Sequence, residues 1–185
     1  MKFESIQKRH EGNYIHRYDI AYRTEEGKEK IYEMISRDPS VQTLMDLKKK
    51  KADAVVLIMH NESGDRLLLN REFRLAVGDW VYNFPAGLID PGEMPEAAAR
   101  RELKEETGLD LVTIRDILPI SYSAVGFSNE KNLCVVGTAA GAIRKSDSPV
   151  EEIEAGWFTR EEVRKLLQTE PFAARTQSYS YLWSC

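Results

Sequence analysis

The sequence predicts an α/β protein in which helices cover a mixed β-sheet, preceded by a small β-hairpin subdomain. Strand-like runs of apolar and aromatic residues occur before, between and after helical segments, the pattern of an α/β sandwich. The helical segments carry their own start and stop signals, which separates them from the strands. At 185 residues, 42% hydrophobic and 30% charged, the chain has room for one domain with a proper core and a small appendage.

Taken in order, residues 14–23 (YIHRYDIAYR) alternate. Tyr14, Tyr18, Ile20 and Tyr22 fall on one face, with Arg17, Asp19 and Arg23 on the other. After the turn-like TEEGK, residues 29–36 form the second strand of a hairpin. The polar connection RDPSVQTLMDLKKKK separates an N-terminal β-subdomain, 1–45, from a main domain, 46–185. Residues 53–59 and 66–73 read as strands joined through a turn at Gly64, and 81–84 as a short strand running into Pro85. From Pro95 to Thr107 a helix is predicted: proline suits its first turn, alanines its body and Gly108 the position after its end. Strands near 111–122 and 131–139 flank the loop SAVGFSNE, and EEIEAGWFT contains a further short strand. Thr159 and Glu162, in capping-box spacing, open a helix, and a last one is expected near 173–184.

Several function classes are disfavoured. A net charge of −4 gives no electrostatic reason to expect a nucleic-acid partner, and the basic run 48–51 is short enough to be a solvated turn. No apolar stretch has the length of a bilayer span and the first residues lack a secretory signal's apolar segment, so no membrane partner is expected. Cys134 and Cys185 are too few and too far apart for a disulfide framework or zinc site, and Cys134 reads as an inert core thiol. A cytosolic location fits. His10, His16 and His60 have no ligand-spaced partners, and Trp80, Trp157 and Trp183 read as core or interface anchors.

The segment GLIDPGEMPEAAARRELKEETGL, residues 87–109, concentrates carboxylates. A solvated helix face is the usual explanation for such a run. On a helix, however, Glu102, Glu105 and Glu106 share an arc of roughly 100°, while Arg100 and Lys104 point away. Like charges so close repel, and a solvated face would interleave lysines. A narrow face of carboxylates beside alanines is what a hard divalent cation needs.

Read in full, the segment is Gly87, five residues, Glu93, seven residues, Arg101-Glu102, two residues, Glu105-Glu106, one residue, Gly108-Leu109. This resembles the signature of the Nudix hydrolases without a departure. The resemblance implies a Nudix-type α/β/α sandwich whose loop–helix–loop holds Mg²⁺, or Mn²⁺, against a diphosphate. It implies Glu102 and Glu106 as direct ligands, with the Ala86 carbonyl; Glu105 directly or through water; Arg101 as an ion-pairing orienter; and Glu93 as support. Gly87 and Gly108 would serve backbone shape.

Beyond this box the chain resembles the ADP-ribose pyrophosphatase branch. NFPAGLIDPGE resembles the branch's approach to the box, and REF resembles its strand carrying a phosphate-contacting arginine, here Arg74. The N-terminal hairpin matches a swapped subdomain that, in the family, builds a homodimer and completes each active site from both chains. Tyr14 and Tyr32 match the positions that sandwich the base, Arg37 a diphosphate-binding arginine, and Phe127 a substrate contact in the SAVGFSNE loop. The tyrosines have an equally ordinary reading as hairpin packing. In the resembling enzymes the general base lies on a loop late in the chain, which the resemblance matches here to SDSPVEEIEAGWF, with Glu152 as the base and Glu151 as fallback; a charged loop before a strand is the bland alternative. AVG at 124–126 and Asn83 depart from the branch's pattern and bring GDP-mannose or another nucleoside diphosphate sugar in as competing substrates. A nucleoside triphosphate hydrolase would not need the hairpin. A non-catalytic nucleotide sensor would tend to have lost box carboxylates. The expected products are AMP and ribose 5-phosphate.

Overall fold

In the N-terminal part, alternation builds strands that can bury only one face. The computed structural model describes residues 1–49 and 51–185; Lys50, in the basic run, lies outside the described residues. Two compact units result, Met1–Asp53 with Ile120–Asn132, and Ala54–Pro119 with Leu133–Cys185.

In the first unit, β1 (Lys2–Glu11), β2 (His16–Arg23) and β3 (Glu29–Ser36) form an antiparallel sheet in that order. The expected hairpin is β2–β3, in unbroken register from Arg23↔Glu29 to His16↔Ser36. Gly27, at φ 79°, makes its turn, a conformation that suits glycine. β1 was not expected, because KFESIQKRHE offers only Phe3 and Ile6 to the core and is otherwise polar. Tyr14 sits in the β1–β2 connection rather than on a strand, which ends the alternation at residue 16. Tyr18, Ile20, Met34 and Val41 form the unit's core, and the fully buried Tyr18 satisfies its hydroxyl by donating to the Asp38 carbonyl at 2.8 Å. The polar connection holds a short helix, α1 (Leu44–Leu47), closed by a Thr43–Asp46 capping box. Residues 120–132 belong to this unit through β3: the Ile35 N–H donates to the Phe127 carbonyl at 2.8 Å.

The second unit contains β4 (Ala54–His60), β5 (Arg66–Arg74), β6 (Asp79–Asn83), β7 (Ala86–Leu88), α2 (Pro95–Thr107) and β8 (Asp110–Ile117). After β9 (Ser121–Tyr122), which lies in the first unit, come β10 (Lys131–Ala140), β11 (Ile153–Thr159), α3 (Arg160–Thr169) and α4 (Ala174–Ser184). The mixed sheet runs β11-β5-β4-β10-β8, with β6 on β5, β7 on β4 and β9 on β10. β4 is apolar and buried from Ala54 to Met59 because both its faces are covered. Val55, Leu57 and Met59 pack with Ala98, Ala99 and Leu103 of α2, whereas Val56 and Ile58 share a core with Val163 of α3 and Tyr179 and Trp183 of α4. Helices therefore cover both faces of the sheet, as the sequence predicts. The strand expected over 111–122 is broken at Pro119, which cannot donate to a ladder. β7 was not expected, since Pro-Ala-Gly reads as loop, yet it pairs with β4 at Val55↔Gly87 and Val56↔Ala86.

Candidate active site

α2 starts with Pro95 in its first turn and stops at Gly108, whose φ of 77° and N–H bond to the Lys104 carbonyl at 2.9 Å end it in the left-handed conformation. Burying Ala98, Ala99, Leu103 and Thr107 fixes its rotation. Arg100 and Lys104 then turn outward, to the Leu111 carbonyl at 2.6 Å and Asp110 at 2.8 Å. The three glutamates are left with different environments. Glu106 is half-buried; its Oε2 accepts from Asn70 Nδ2 at 2.7 Å and from the Ala86 N–H at 3.3 Å. Glu102 has a side chain 13% exposed, whereas that of Glu105 is 51% exposed.

Gly87 lies beneath Glu102. A Cβ at residue 87 would come within 1.9 Å of the Glu102 carboxyl carbon and push that carboxylate from its place; Gly87 has no positive φ, so it is close approach rather than backbone shape that glycine serves there. Gly108 does serve backbone shape, as expected.

Arg101 acts as a clamp. Its Nε and Nη2 donate to Glu93 at 3.0 and 2.8 Å, Nη1 to Glu102 at 2.7 Å and Glu105 at 3.3 Å, and Nη2 also to the Leu88 carbonyl at 2.9 Å. Only a planar guanidinium offers so many donors in fixed geometry. The Arg101 bonds, followed by the Asp90 N–H, hold the Glu93 carboxyl below its usual range. Burial pushes Glu102 upward in spite of Arg101, and burial with the nearby charges of Glu102 and Glu72 pushes Glu106 well upward.

Two further elements bring in the remaining second-unit candidates. The β10–β11 connection is tied to α2: the Arg144 N–H donates to the Thr107 carbonyl at 2.9 Å and the Asp147 N–H to the Glu105 carbonyl at 3.0 Å. Its end carries Glu151 and Glu152, and the Phe73 N–H donates to the Glu152 carbonyl at 3.0 Å. Glu151, Glu152, Glu72 and Arg74 border one cleft of about 410 Å³. Arg74 is paired with Glu72, two residues earlier on the same strand. Asn70 and Glu72 are site residues that the sequence reading missed. The signal was present in LLLNREFR: the period of two places Asn70, Glu72 and Arg74 on the face that Leu68 turns toward α2. Which face meets the helix is a tertiary fact.

The remaining candidates belong to the first unit. Tyr32 and Phe127 line one apolar cavity of about 530 Å³, and the Tyr32 hydroxyl donates to the Gly126 carbonyl. Arg37 pairs with Glu130 at 2.7 Å. Tyr14 does not line that cavity and is 80% exposed.

Among the described residues, no three His, Cys, Asp or Glu side chains already surround one point. Arg101 draws Glu102 and Glu105, and Asn70 draws Glu106. The donor set nonetheless fits a hard divalent cation: oxygen atoms only, net negative charge, and a half-buried carboxylate, Glu106, whose bonds among the described residues come from an amide and a backbone N–H rather than a cation.

The family model of the NUDIX domain matches residues 50–178. The chain belongs to the Nudix hydrolase family. The Nudix box is α2 with its flanking loops, and the clamp and the Gly87 contact are how this chain builds it. Among relatives, a mouse ADP-sugar pyrophosphatase is 32% identical over 149 residues, 75% of this chain and 63% of that protein. A yeast (Saccharomyces cerevisiae) ADP-ribose pyrophosphatase is 33% identical over 142 residues, 75% of this chain and 58% of that protein. The matches thus span about three fifths of those two relatives. A crystal structure of an ADP compounds hydrolase has the same fold, with a TM-score of 0.74 at 21% identity, covering 99% of this chain and 92% of the other.

Proposed function

We propose that this chain is a magnesium-dependent pyrophosphohydrolase that splits the diphosphate of ADP-ribose, or of a related nucleoside diphosphate sugar, into a nucleoside monophosphate and a sugar phosphate. The observation that carries the reading is the pair Glu102 and Glu106 on the inward face of one helix, with Gly87 beneath and Arg101 clamping from the side. The names of the mouse and yeast relatives, both pyrophosphatases of ADP-linked sugars, support the substrate class. Glu102 and Glu106, with the Ala86 carbonyl and Glu105, would hold Mg²⁺ or Mn²⁺, which when bound supplies Lewis-acid polarisation of phosphate oxygens and a more acidic water.

The chain's own groups do the rest. Arg101 fixes the carboxylates in orientation, the task of residues behind metal ligands. Arg74, at the cleft edge, draws charge from the phosphate oxygens once it leaves Glu72. Glu152, with Glu151 as fallback, accepts the proton of the attacking water, a role typically worth about 10²–10⁴-fold. Tyr14 and Tyr32 offer flat faces for a base, Phe127 an apolar contact and Arg37 a cation for the diphosphate. In this reading the chain works as a homodimer, and its free cysteines, Cys134 and Cys185, suit the reducing cytosol.

The test is turnover on ADP-ribose, GDP-mannose, other nucleoside diphosphate sugars and ATP with Mg²⁺ or Mn²⁺, with products separated. AMP and ribose 5-phosphate from ADP-ribose are expected. Faster cleavage of GDP-mannose would move the substrate to the neighbouring class, and hydrolysis of ATP alone, or of nothing, would overturn the reading.

A further inference from the structure

Asn70 stands where the strand β5 passes under the carboxylates of α2. Its side-chain nitrogen donates to Glu106 Oε2 at 2.7 Å, and the residue is 2% exposed. In the ionised form that a cation needs, Glu106 only accepts hydrogen bonds, so in that form the amide nitrogen is the end that faces it. The carbonyl end, Oδ1, is buried and has no hydrogen-bond partner among the described residues. Such orphaned acceptors are rare in folded proteins and call for a ligand or a function.

The position is also rigid. β5 is flanked on both sides, with Asn70 opposite Ala155 of β11 and Asn83 of β6, so its backbone is held by neighbouring strands. The oxygen and nitrogen of one amide lie roughly 2.2 Å apart, given C=O and C–N bonds of about 1.2 and 1.3 Å. Added to the 2.7 Å bond, this keeps Oδ1 within about 5 Å of Glu106 Oε2, a gap that one ion with oxygen ligands at roughly 2.0–2.6 Å can bridge.

We propose that Asn70 Oδ1 is an oxygen donor to the divalent cation held by Glu102 and Glu106, with the Nδ2–H bond aiming the Glu106 carboxylate at the same ion. The proposal rests on the cation-dependent reading above and adds to it a neutral ligand from the sheet. It explains why an amide occupies a site that Leu68, two residues earlier on the same face, fills with hydrocarbon. It also explains why the bond to Glu106 leaves one end of that amide unsatisfied.

The experiment measures Mn²⁺ affinity of the full chain by titration calorimetry, with thermal midpoints in chelator, for wild type, Asn70→Leu, Asn70→Asp and Glu106→Gln. Asn70→Leu removes both amide ends at similar volume. It should weaken Mn²⁺ binding about tenfold or more, the range seen for residues that support a metal site, without lowering the chelated midpoint. Asn70→Asp keeps the oxygen and should bind Mn²⁺ within about threefold of wild type. Wild-type affinity in Asn70→Leu, with a loss in Glu106→Gln, would overturn the proposal and leave the cation site standing. Equal losses in Asn70→Asp and Asn70→Leu would reduce Asn70 to a positioning donor and overturn the oxygen assignment. Wild-type affinity in all three variants would overturn both the proposal and the reading beneath it.

Discussion

Glu106 carries a charge that its burial disfavours. Desolvation and the neighbouring Glu102 and Glu72 raise its proton affinity, while the bonds from Ala86 and Asn70 act in the opposite direction and lose. A carboxyl whose folded pKa lies above its unfolded value contributes stability that is complete below about 4.5, the unfolded value, and disappears as pH rises through the folded value. Replacing Glu106 by Gln removes the ionised form. In chelator, the thermal midpoint of Glu106→Gln should therefore exceed that of wild type by a margin that grows as pH is raised from about 5 to 8. With saturating Mg²⁺ the same variant should lose about a hundredfold or more of its turnover. Scanning calorimetry at several pH values and steady-state kinetics check the two halves. A wild-type midpoint that rises with pH relative to the variant would contradict the assigned burial.

At the scale of the element, helices are held by their ends as much as by their faces. α3 opens on a reciprocal pair: the Glu162 N–H donates to Thr159 Oγ1 at 3.3 Å and the Thr159 N–H to Glu162 Oε2 at 2.7 Å. Those bonds from Thr159 hold the Glu162 carboxyl below its usual range. The sign is opposite to that of Glu106. This stability is present above about 4.5 and lost as pH falls through the depressed value. Thr159→Ala should cost about 1 kcal/mol at neutral pH, typical of a lost cap, and less once acid has protonated Glu162. Urea titration at pH 7 and pH 3 measures the difference. This element was legible in advance because capping is a local code: Thr and Glu three residues apart announce it. β7 was not, because its three residues pair only once β4 lies beside them. Nor was β1, whose polar composition hides a strand sustained by pairing along β2.

For the molecule as a whole, the first unit leaves apolar surface uncovered. Val125 is 77% exposed and Phe127 57%, both lining the cavity with Tyr32, and Tyr14, outside that lining, is 80% exposed. Exposed apolar groups gathered on one small unit mark an interaction surface more often than an idle one. A second copy of the chain is the expected partner. Light scattering should give twice the chain mass of 21.2 kDa, and Val125→Asp with Phe127→Asp should shift it toward the single mass. A monodisperse single mass for wild type with full turnover would remove the dimer from the proposal.

How much could be read in advance differs between the two halves of the site. The chain alone determined α2, its caps and the arc of Glu102, Glu105 and Glu106, because helical rotation follows from spacing of about 100° per residue and needs no distant partner. The Arg101–Glu105 bond at 3.3 Å is the four-residue contact that spacing predicts. Tertiary structure decided what lies opposite that arc. Asn70 and Glu72 reach the helix only because β5 turns one face toward it, and Gly87 matters because β7 carries it beneath a carboxylate some fifteen positions later in the chain. Contacts between residues far apart in sequence depend on the packing of the whole sheet, and no local pattern records them.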